Sequence, residues 1–192
     1  MKIEKSTKAE KINILHKIDL DFYEIACEKI YKNFETRLKL DAINSYTQQN
    51  ISNFYPTIEL SIPDIISSFY SHMTQFDQTK KYFQSVDVLY LKNKQINHWK
   101  KLFSGDLNKE YVYSSARVGF VHHRIGLPLF LYLSGYNRIL CDLTALAIRH
   151  HMGTMASTDT VSAMIKLVSL DMDISISCYF VADHLENRPN RL

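Results

Sequence analysis

One histidine lies on the apolar face of a predicted helix, where an imidazole needs a partner. Helical spacings of three and four residues place on one face Tyr111, Ser115, Val118, His122 and Ile125. An unpaired polar ring is costly to bury, and a metal is a partner that neutral imidazole commonly takes. A hydrogen-bonded core histidine is the more frequent outcome for an isolated case. The spacing alone therefore leaves both a metal ligand and a core residue open.

The segment from Arg117 to Pro128 narrows these alternatives. It reads Arg-Val-Gly-Phe-Val-His-His-Arg-Ile-Gly-Leu-Pro and resembles the proximal-histidine segment of the globin-coupled sensors, a family of bacterial haem proteins. In that family the histidine two places before Arg-Ile-Gly is the axial ligand of the haem iron, which implies His122 as the metal ligand here. His123 lies about 100° further round the helix and is expected to face elsewhere.

A second part of the resemblance lies 52 residues before His122, at Phe69-Tyr70. The family carries such a pair on its B helix, and the tyrosine donates a hydrogen bond to the gas ligand. This implies Tyr70 as the distal ligand-binding residue. The ordinary alternative is an amphipathic tyrosine with its ring in the core and its hydroxyl at the edge. The other pair, Phe22-Tyr23, is too far from His122 for a B helix and is interpreted as core or interface.

The resemblance implies haem b (iron protoporphyrin IX), held between the E and F helices. The residues expected to contact it are Phe69, Tyr70, Phe83, Leu91, Lys94, Gln95, Val118, Val121 and Tyr132. Lys94 stands where the family often has a threonine, and a lysine is costly in a dry pocket unless its ammonium reaches solvent or a propionate. Gln95 or Leu91 is then expected to face the ligand, and the sequence leaves open whether a second residue donates a hydrogen bond to the ligand.

Helical periodicity and few chain breakers, five Gly and four Pro, predict an all-α protein with long helices. The predicted helices span about 8–39, 41–55, 61–76, 85–103, 108–125, 128–151 and 157–186. Pro56 should end the second helix. Asn108 is expected to cap the fifth, and Ser157-Thr158-Asp159 the last. His98, in the fourth helix, is interpreted as a surface residue.

The resemblance places these helices in a sensor-globin variant of the globin fold. It implies an N-terminal extension helix in residues 1–35, a globin domain in residues 36–186 and a tail or truncated linker in residues 187–192. It further implies no D helix, and long G and H helices that form a dimer interface.

Composition excludes several classes of function. The net charge is +3 with dispersed basic residues, which argues against nucleic-acid binding. Three separate cysteines form no disulfide framework and favour a reduced cytoplasm. The charged N-terminus is unlike a signal peptide. The sequence contains no run of about 18 apolar residues, so no membrane span is predicted.

The leading hypothesis is a haem-based gas sensor for O2, with CO and NO as further ligands. The last two helices are apolar on more than one face and predict a homodimer. In the last helix, one face carries Met164, Leu167, Leu170 and Ile174, and another carries Ile165 and Ile176. In the resembling family, such a dimer relays the signal to an output domain, often a diguanylate cyclase or a chemotaxis transducer. This chain itself is not expected to be an enzyme.

Two other functions stay open. One is a single-domain, protoglobin-like globin that binds oxygen or detoxifies NO. The other is a haem-free all-α dimerisation module. The polar residues 187–192 resemble a linker cut short, which favours a sensor part of a longer protein over a complete single-domain globin.

Overall fold

The computed structural model describes residues 20–152 and 154–186, and in those ranges all regular secondary structure is helical. This confirms the predicted all-α class. The first predicted helix lies partly, and the tail 187–192 wholly, outside the described residues. The helices are α1 Leu20–Lys32, α2 Phe34–Leu40, α3 Ser45–Met73, α4 Asp77–Lys80, α5 Val88–Phe103, α6 Lys109–Arg124, α7 Leu129–His151 and α8 Met155–Glu186.

Side-chain caps begin three of the helices that carry the candidate site. The Asn44 side chain accepts from the backbone N–H of Thr47 at the start of α3, and that of Asp87 accepts from Leu89 at the start of α5. Asn108 accepts from the N–H of Tyr111 at 2.9 Å, which confirms it as the cap of α6. Each cap satisfies a backbone donor that the helix itself leaves unpaired.

Helix α3 continues through two prolines, so the predicted helix end before Pro56 is wrong. Pro56 and Pro63 are both exposed, and each removes one backbone hydrogen bond at a cost of roughly 3 kcal/mol. The opposite face buries a continuous stripe of Ile51, Phe54, Ile58, Ile62, Ile66, Tyr70 and Met73. Burying one large apolar side chain contributes about 1.5–3 kcal/mol, so the stripe outweighs both prolines. Tyr70 therefore sits on one 29-residue helix.

Two other predicted boundaries are corrected. The first predicted helix is interrupted at Asn33, whose backbone closes a turn with Ile30 and separates α1 from α2. The last helix starts at Met155, before the predicted cap at Ser157. The chain reverses direction at Met152, which has a left-handed φ of 50°, so α8 begins almost immediately after α7. Ser157 is buried instead of capping the helix.

Helix α8 lies at the centre of the molecule. It packs against α1, α3, α5, α6 and α7. The four residues predicted to share one of its faces, Met164, Leu167, Leu170 and Ile174, are all at most 1% exposed. They form the core of the single chain. This face of α8 is therefore buried within the protomer, and of its two predicted apolar faces the one with Ile165 and Ile176 remains for a dimer interface.

No helix in residues 20–152 and 154–186 is long and apolar enough to cross a bilayer.

Candidate functional site

His122 lies in the last turn of α6, and the backbone of its own helix orients its ring. Nδ1 donates to the carbonyl of Val118 at 2.7 Å, so Nε2 is the nitrogen that keeps the lone pair. Burial lowers the pKa of His122, the nearby His98 lowers it further, and the bond to Val118 opposes both only in part. His122 is therefore a neutral imidazole with one nitrogen free to bind a metal.

Tyr132, one of the expected site residues, packs directly against this imidazole. The two ring centroids are 5.0 Å apart with the planes inclined by 56°. The Tyr132 ring is 5% exposed, and its hydroxyl donates to the hydroxyl of Tyr136 at 3.0 Å. Tyr132 begins the inward face of α7, so this helix forms one wall beside His122.

His123 has a different neighbour from His122. Its ring meets the ring of Tyr179 on α8 edge to face, with centroids 5.7 Å apart. Its Nδ1 atom is buried and has no hydrogen-bond partner. Two consecutive imidazoles on α6 thus face different residues, as helical geometry requires. Val121, the preceding expected site residue, is partly buried.

Three of the expected site residues form an aromatic cluster at the end of α3. The Tyr70 ring lies 5.2 Å from that of Phe69 and 5.6 Å from that of Phe83, both in edge-to-face contacts. Tyr70 is 5% exposed, and burial raises its pKa. Its hydroxyl therefore stays protonated and can donate a hydrogen bond.

Helix α7 touches both groups of site residues. A Cβ atom on Gly135 would lie 3.4 Å from the Phe69 ring, so the absence of a side chain lets α7 approach the aromatic cluster. Gly135 follows Tyr132 by three residues, less than one helical turn. The same stretch of α7 therefore contacts His122 on one side and the neighbour of Tyr70 on the other.

Helix α5 carries two adjacent polar residues, Lys94 and Gln95, and only one of them faces the interior. The Lys94 side chain is exposed, and its ammonium lies 5.4 Å above the ring of Tyr90. Gln95 is partly buried and accepts a hydrogen bond from the indole N–H of Trp99 at 2.8 Å. Leu91 packs against the core. The structure thus turns Leu91 and Gln95 inward and leaves Lys94 at the surface.

His98 is not a surface residue, so that interpretation is wrong. Its side chain is 11% exposed, and its Nε2 atom lies 2.8 Å from the carboxylate of Asp171 on α8, which is fully buried. Burial alone would lower the pKa of His98, but the charge and hydrogen bond of Asp171 outweigh it and raise the pKa. Burial likewise opposes ionisation of Asp171, yet His98, Tyr111 and Ser115 lower its pKa to about 2. The two form a buried ion pair.

Asp171 also accepts from two buried tyrosines. The hydroxyl of Tyr111 on α6 donates at 2.6 Å, and that of Tyr136 on α7 donates at 2.7 Å. One carboxylate on α8 is thus hydrogen-bonded to α5, α6 and α7. The sequence contained a signal for the burial of Asp171, because this residue interrupts an apolar stripe. The members of the stripe are spaced alternately three and four residues apart: Met164, Leu167, Asp171, Ile174 and Cys178.

The helix that carries His122 is held tightly against α8. A Cβ atom on Gly119 would overlap the backbone of Ser175, so only glycine allows this approach. Beside Gly119, the Ser175 hydroxyl donates to the backbone carbonyl of Ser115 at 3.0 Å. The Ser115 hydroxyl in turn donates to the backbone carbonyl of Asp171 at 3.2 Å. Backbone and side chains together fix α6 on α8 one turn before His122.

Comparison with known proteins identifies the family. The model of the Protoglobin family matches residues 31–184. The chain belongs to the Protoglobin family. A relative, the haem-based aerotactic transducer HemAT of Halobacterium salinarum, is 28% identical over 154 residues, which cover 74% of this chain and 32% of that protein. The chain therefore spans about a third of the length of this relative.

The fold has a solved counterpart among globin sensors. The globin domain of the Geobacter sulfurreducens globin-coupled sensor matches with a TM-score of 0.71 and 15% identity, over 76% of this chain and 96% of that domain. This chain of the Protoglobin family therefore shares the fold of a solved globin-coupled sensor domain, which is the fold that the sequence resemblance implied.

The residues of this Protoglobin chain fit a haem. A haem iron needs one neutral imidazole nitrogen from the protein, and His122 offers it with the tautomer set by Val118. Tyr70 supplies a buried hydroxyl inside an aromatic wall. Helices α5 and α6, consecutive in the chain, pack only sparsely on each other, whereas α6 packs closely on α8.

Proposed function

We propose that this chain is a haem-based gas sensor domain whose ligand is O2, with CO and NO as other diatomic ligands. The observation that carries the proposal is the state of His122: a neutral imidazole whose Nδ1 is engaged by Val118. An imidazole held in this way binds metal through Nε2 with its orientation already set. Haem b supplies the iron at which a diatomic gas binds reversibly.

The chain's own residues have distinct roles in this proposal. His122 would hold the iron, and Tyr70 would donate a hydrogen bond to the bound gas, which favours the polar ligand O2. Apolar and aromatic side chains exclude water from the pocket: Phe69, Phe83, Leu91, Val118, Val121 and Tyr132. Gln95 is partly buried, and its side-chain carbonyl accepts a hydrogen bond from the indole of Trp99. Lys94 is at the surface, so in this proposal its ammonium would meet a propionate or solvent and not the gas.

We further propose that ligand state is relayed through a homodimer. The outward face of α8 carries an apolar stripe that the single chain leaves open: Ile165 and Phe180 are 43% and 65% exposed, with Ile176 partly buried between them. On the neighbouring α7, Phe130 and Leu133 are 63% and 37% exposed. Two such helices from each protomer would bury these side chains in a four-helix interface.

The partner in signalling is proposed to be a C-terminal output domain of a longer cytoplasmic bacterial protein. The support is the relative HemAT, an aerotactic transducer that extends well beyond the matched region. A diguanylate cyclase or a chemotaxis transducer is the output class that the sensor resemblance favours.

The decisive experiment is absorption spectroscopy of the purified protein after reconstitution with haem. A Soret band that shifts reversibly with O2 and CO is expected for the wild type and for His123→Ala, and its loss is expected for His122→Ala. A wild-type protein that takes up no haem would leave only the haem-free dimerisation module.

A second candidate is a single-domain globin that binds oxygen or detoxifies NO. The match to the family model named Protoglobin favours it. Rapid NO consumption by the oxygenated protein with a reductase, at many turnovers per haem, would support this function over sensing. Stoichiometric reaction with a single turnover would support the sensor.

A further inference from the structure

A continuous chain of contacts joins the proposed iron ligand to the buried carboxylate on α8. The ring of Tyr132 lies against that of His122, with centroids 5.0 Å apart. The Tyr132 hydroxyl donates to Tyr136 at 3.0 Å, and the Tyr136 hydroxyl donates to Asp171 at 2.7 Å. Each step is a direct contact, and the chain passes from α6 through α7 to α8.

The direction of the hydrogen bonds makes Asp171 the anchor of this chain. A carboxylate only accepts, so Tyr136 must donate its proton to Asp171. The oxygen of Tyr136 can then only accept a hydrogen bond from Tyr132. Tyr132 must in turn use its only proton on Tyr136. Bonds to ionised acceptors are the stronger ones, and both tyrosines are at most 7% exposed. Tyr132 is therefore held in one orientation.

Asp171 has more partners than an ion pair between two helices requires. A buried pair is often replaceable by apolar residues of similar volume without loss of stability. Here one carboxylate binds a residue from each of three helices, and one of its three donors leads to the ring beside His122. The arrangement thus couples the central helix to the ring plane of the histidine.

We infer that Asp171 is a positioning residue: through Tyr136 and Tyr132 it sets the orientation of the His122 imidazole, and hence the strength of the iron–histidine bond. This inference rests on the proposed haem-binding function. It also supplies a physical link from the haem to α8, because a displacement of His122 must move a ring that is tied to the central helix.

The test is the iron–histidine stretching band of the ferrous, gas-free protein, measured by resonance Raman spectroscopy. Tyr136→Phe removes the middle hydroxyl and keeps the ring, so the band should shift and broaden. Tyr132→Phe should give the same change, and the double variant should add nothing further, because both break one chain. Asp171→Asn removes the charged anchor and should shift the band in the same direction.

Two control variants distinguish a positioning role of Asp171 from a general loosening of the helix packing. Tyr111→Phe removes another donor to the same carboxylate without breaking the path to Tyr132, and its band should stay at the wild-type frequency. Asp173→Asn changes an exposed carboxylate two residues away on α8 and should also leave the band unchanged.

The outcomes are distinguishable from failure of the proposed function. A wild-type protein without a Soret band contradicts haem binding itself. A normal Soret band with an unshifted stretching band in Tyr136→Phe and Tyr132→Phe overturns the positioning role alone. Equal shifts in Tyr111→Phe and Tyr136→Phe would also overturn it, because Asp171 would then act only by holding helices together. If Asp171→Asn fails to fold, the two tyrosine variants still decide.

Discussion

The Nδ1 atom of His122 lies 2.7 Å from the carbonyl oxygen of Val118, one turn earlier on the same helix. A carbonyl cannot donate, so this contact assigns the Nδ1 proton and leaves Nε2 as a base. The side chain thus receives its tautomer from α6 itself. The ring of Tyr132 on α7 packs against the same imidazole, with the ring centroids 5.0 Å apart.

Replacing His122 with Ala should abolish the Soret band or weaken haem binding severely. Loss of a ligand's hydrogen-bond partner alone costs roughly 10–100-fold in metal affinity, and loss of the ligand should cost more. Added imidazole should restore the band in part by occupying the vacated site. His123→Ala is the matched control and should keep the band, because His123 packs against Tyr179. The reverse pattern would show that His123 is the ligand.

Tyr70→Phe should raise the oxygen dissociation rate by about twofold to tenfold, because one buried hydrogen bond is worth roughly 0.5–1.5 kcal/mol. Autoxidation should also quicken, while CO dissociation should change less since CO is the weaker acceptor. Stopped-flow and flash-photolysis measurements give both rates. Tyr90→Phe, at an exposed position, is the control. An unchanged oxygen rate in Tyr70→Phe would remove Tyr70 from the ligand site.

The two adjacent polar residues of α5 should respond differently to substitution. Lys94→Met should leave oxygen dissociation unchanged, because this side chain is exposed over Tyr90. Gln95→Leu strands the indole N–H of Trp99, which is 1% exposed. An unsatisfied buried donor costs about 1–3 kcal/mol, so urea unfolding should show that loss. A larger ligand effect for Lys94→Met than for Gln95→Leu would reverse the assignment.

The proposed dimer should depend on outward-facing residues and not on the core of α8. Phe130→Asp combined with Phe180→Asp should convert dimers to monomers by light scattering, with the free energy of unfolding of the protomer little changed. Leu170 is fully buried, so Leu170→Asp should unfold the chain, since a buried unpaired charge costs several kcal/mol. A wild-type protein that is monomeric at tens of micromolar would contradict the interface.

The ionisation of Asp171 should appear in the pH dependence of stability. Its pKa is lowered from 3.8 to about 2 in the folded protein. A lowered folded pKa stabilises the fold above the unfolded value, and this contribution is lost as the pH falls from about 4 to about 2. It corresponds to about 2 kcal/mol. The stability gap between wild type and Asp171→Asn, from urea unfolding at matched haem content, should therefore narrow on acidification. A gap independent of pH would contradict the ion pair.

The local sequence pattern was sufficient to predict most of the helices. Periodicity predicted Tyr111 and Ser115 as buried residues of α6, although Ile125 of the same predicted face is 46% exposed at the end of the helix. Asn108 and Pro128 marked the starts of α6 and α7. These features depend on residues at most four apart in the chain, and such contacts are present in any helix that the segment forms. The family likeness of the His122 segment was readable for the same reason, since its residues are contiguous.

Tertiary structure alone decided the rest. Pro56 lies inside a helix because a seven-residue buried stripe holds α3 together across it. Leu167 and Leu170 face the protomer's own core because five helices surround α8. His98 meets Asp171 across a separation of 73 residues. His98 reads as a surface residue in the sequence, because the free energy of a buried charge depends on a partner that only the packing of distant helices supplies.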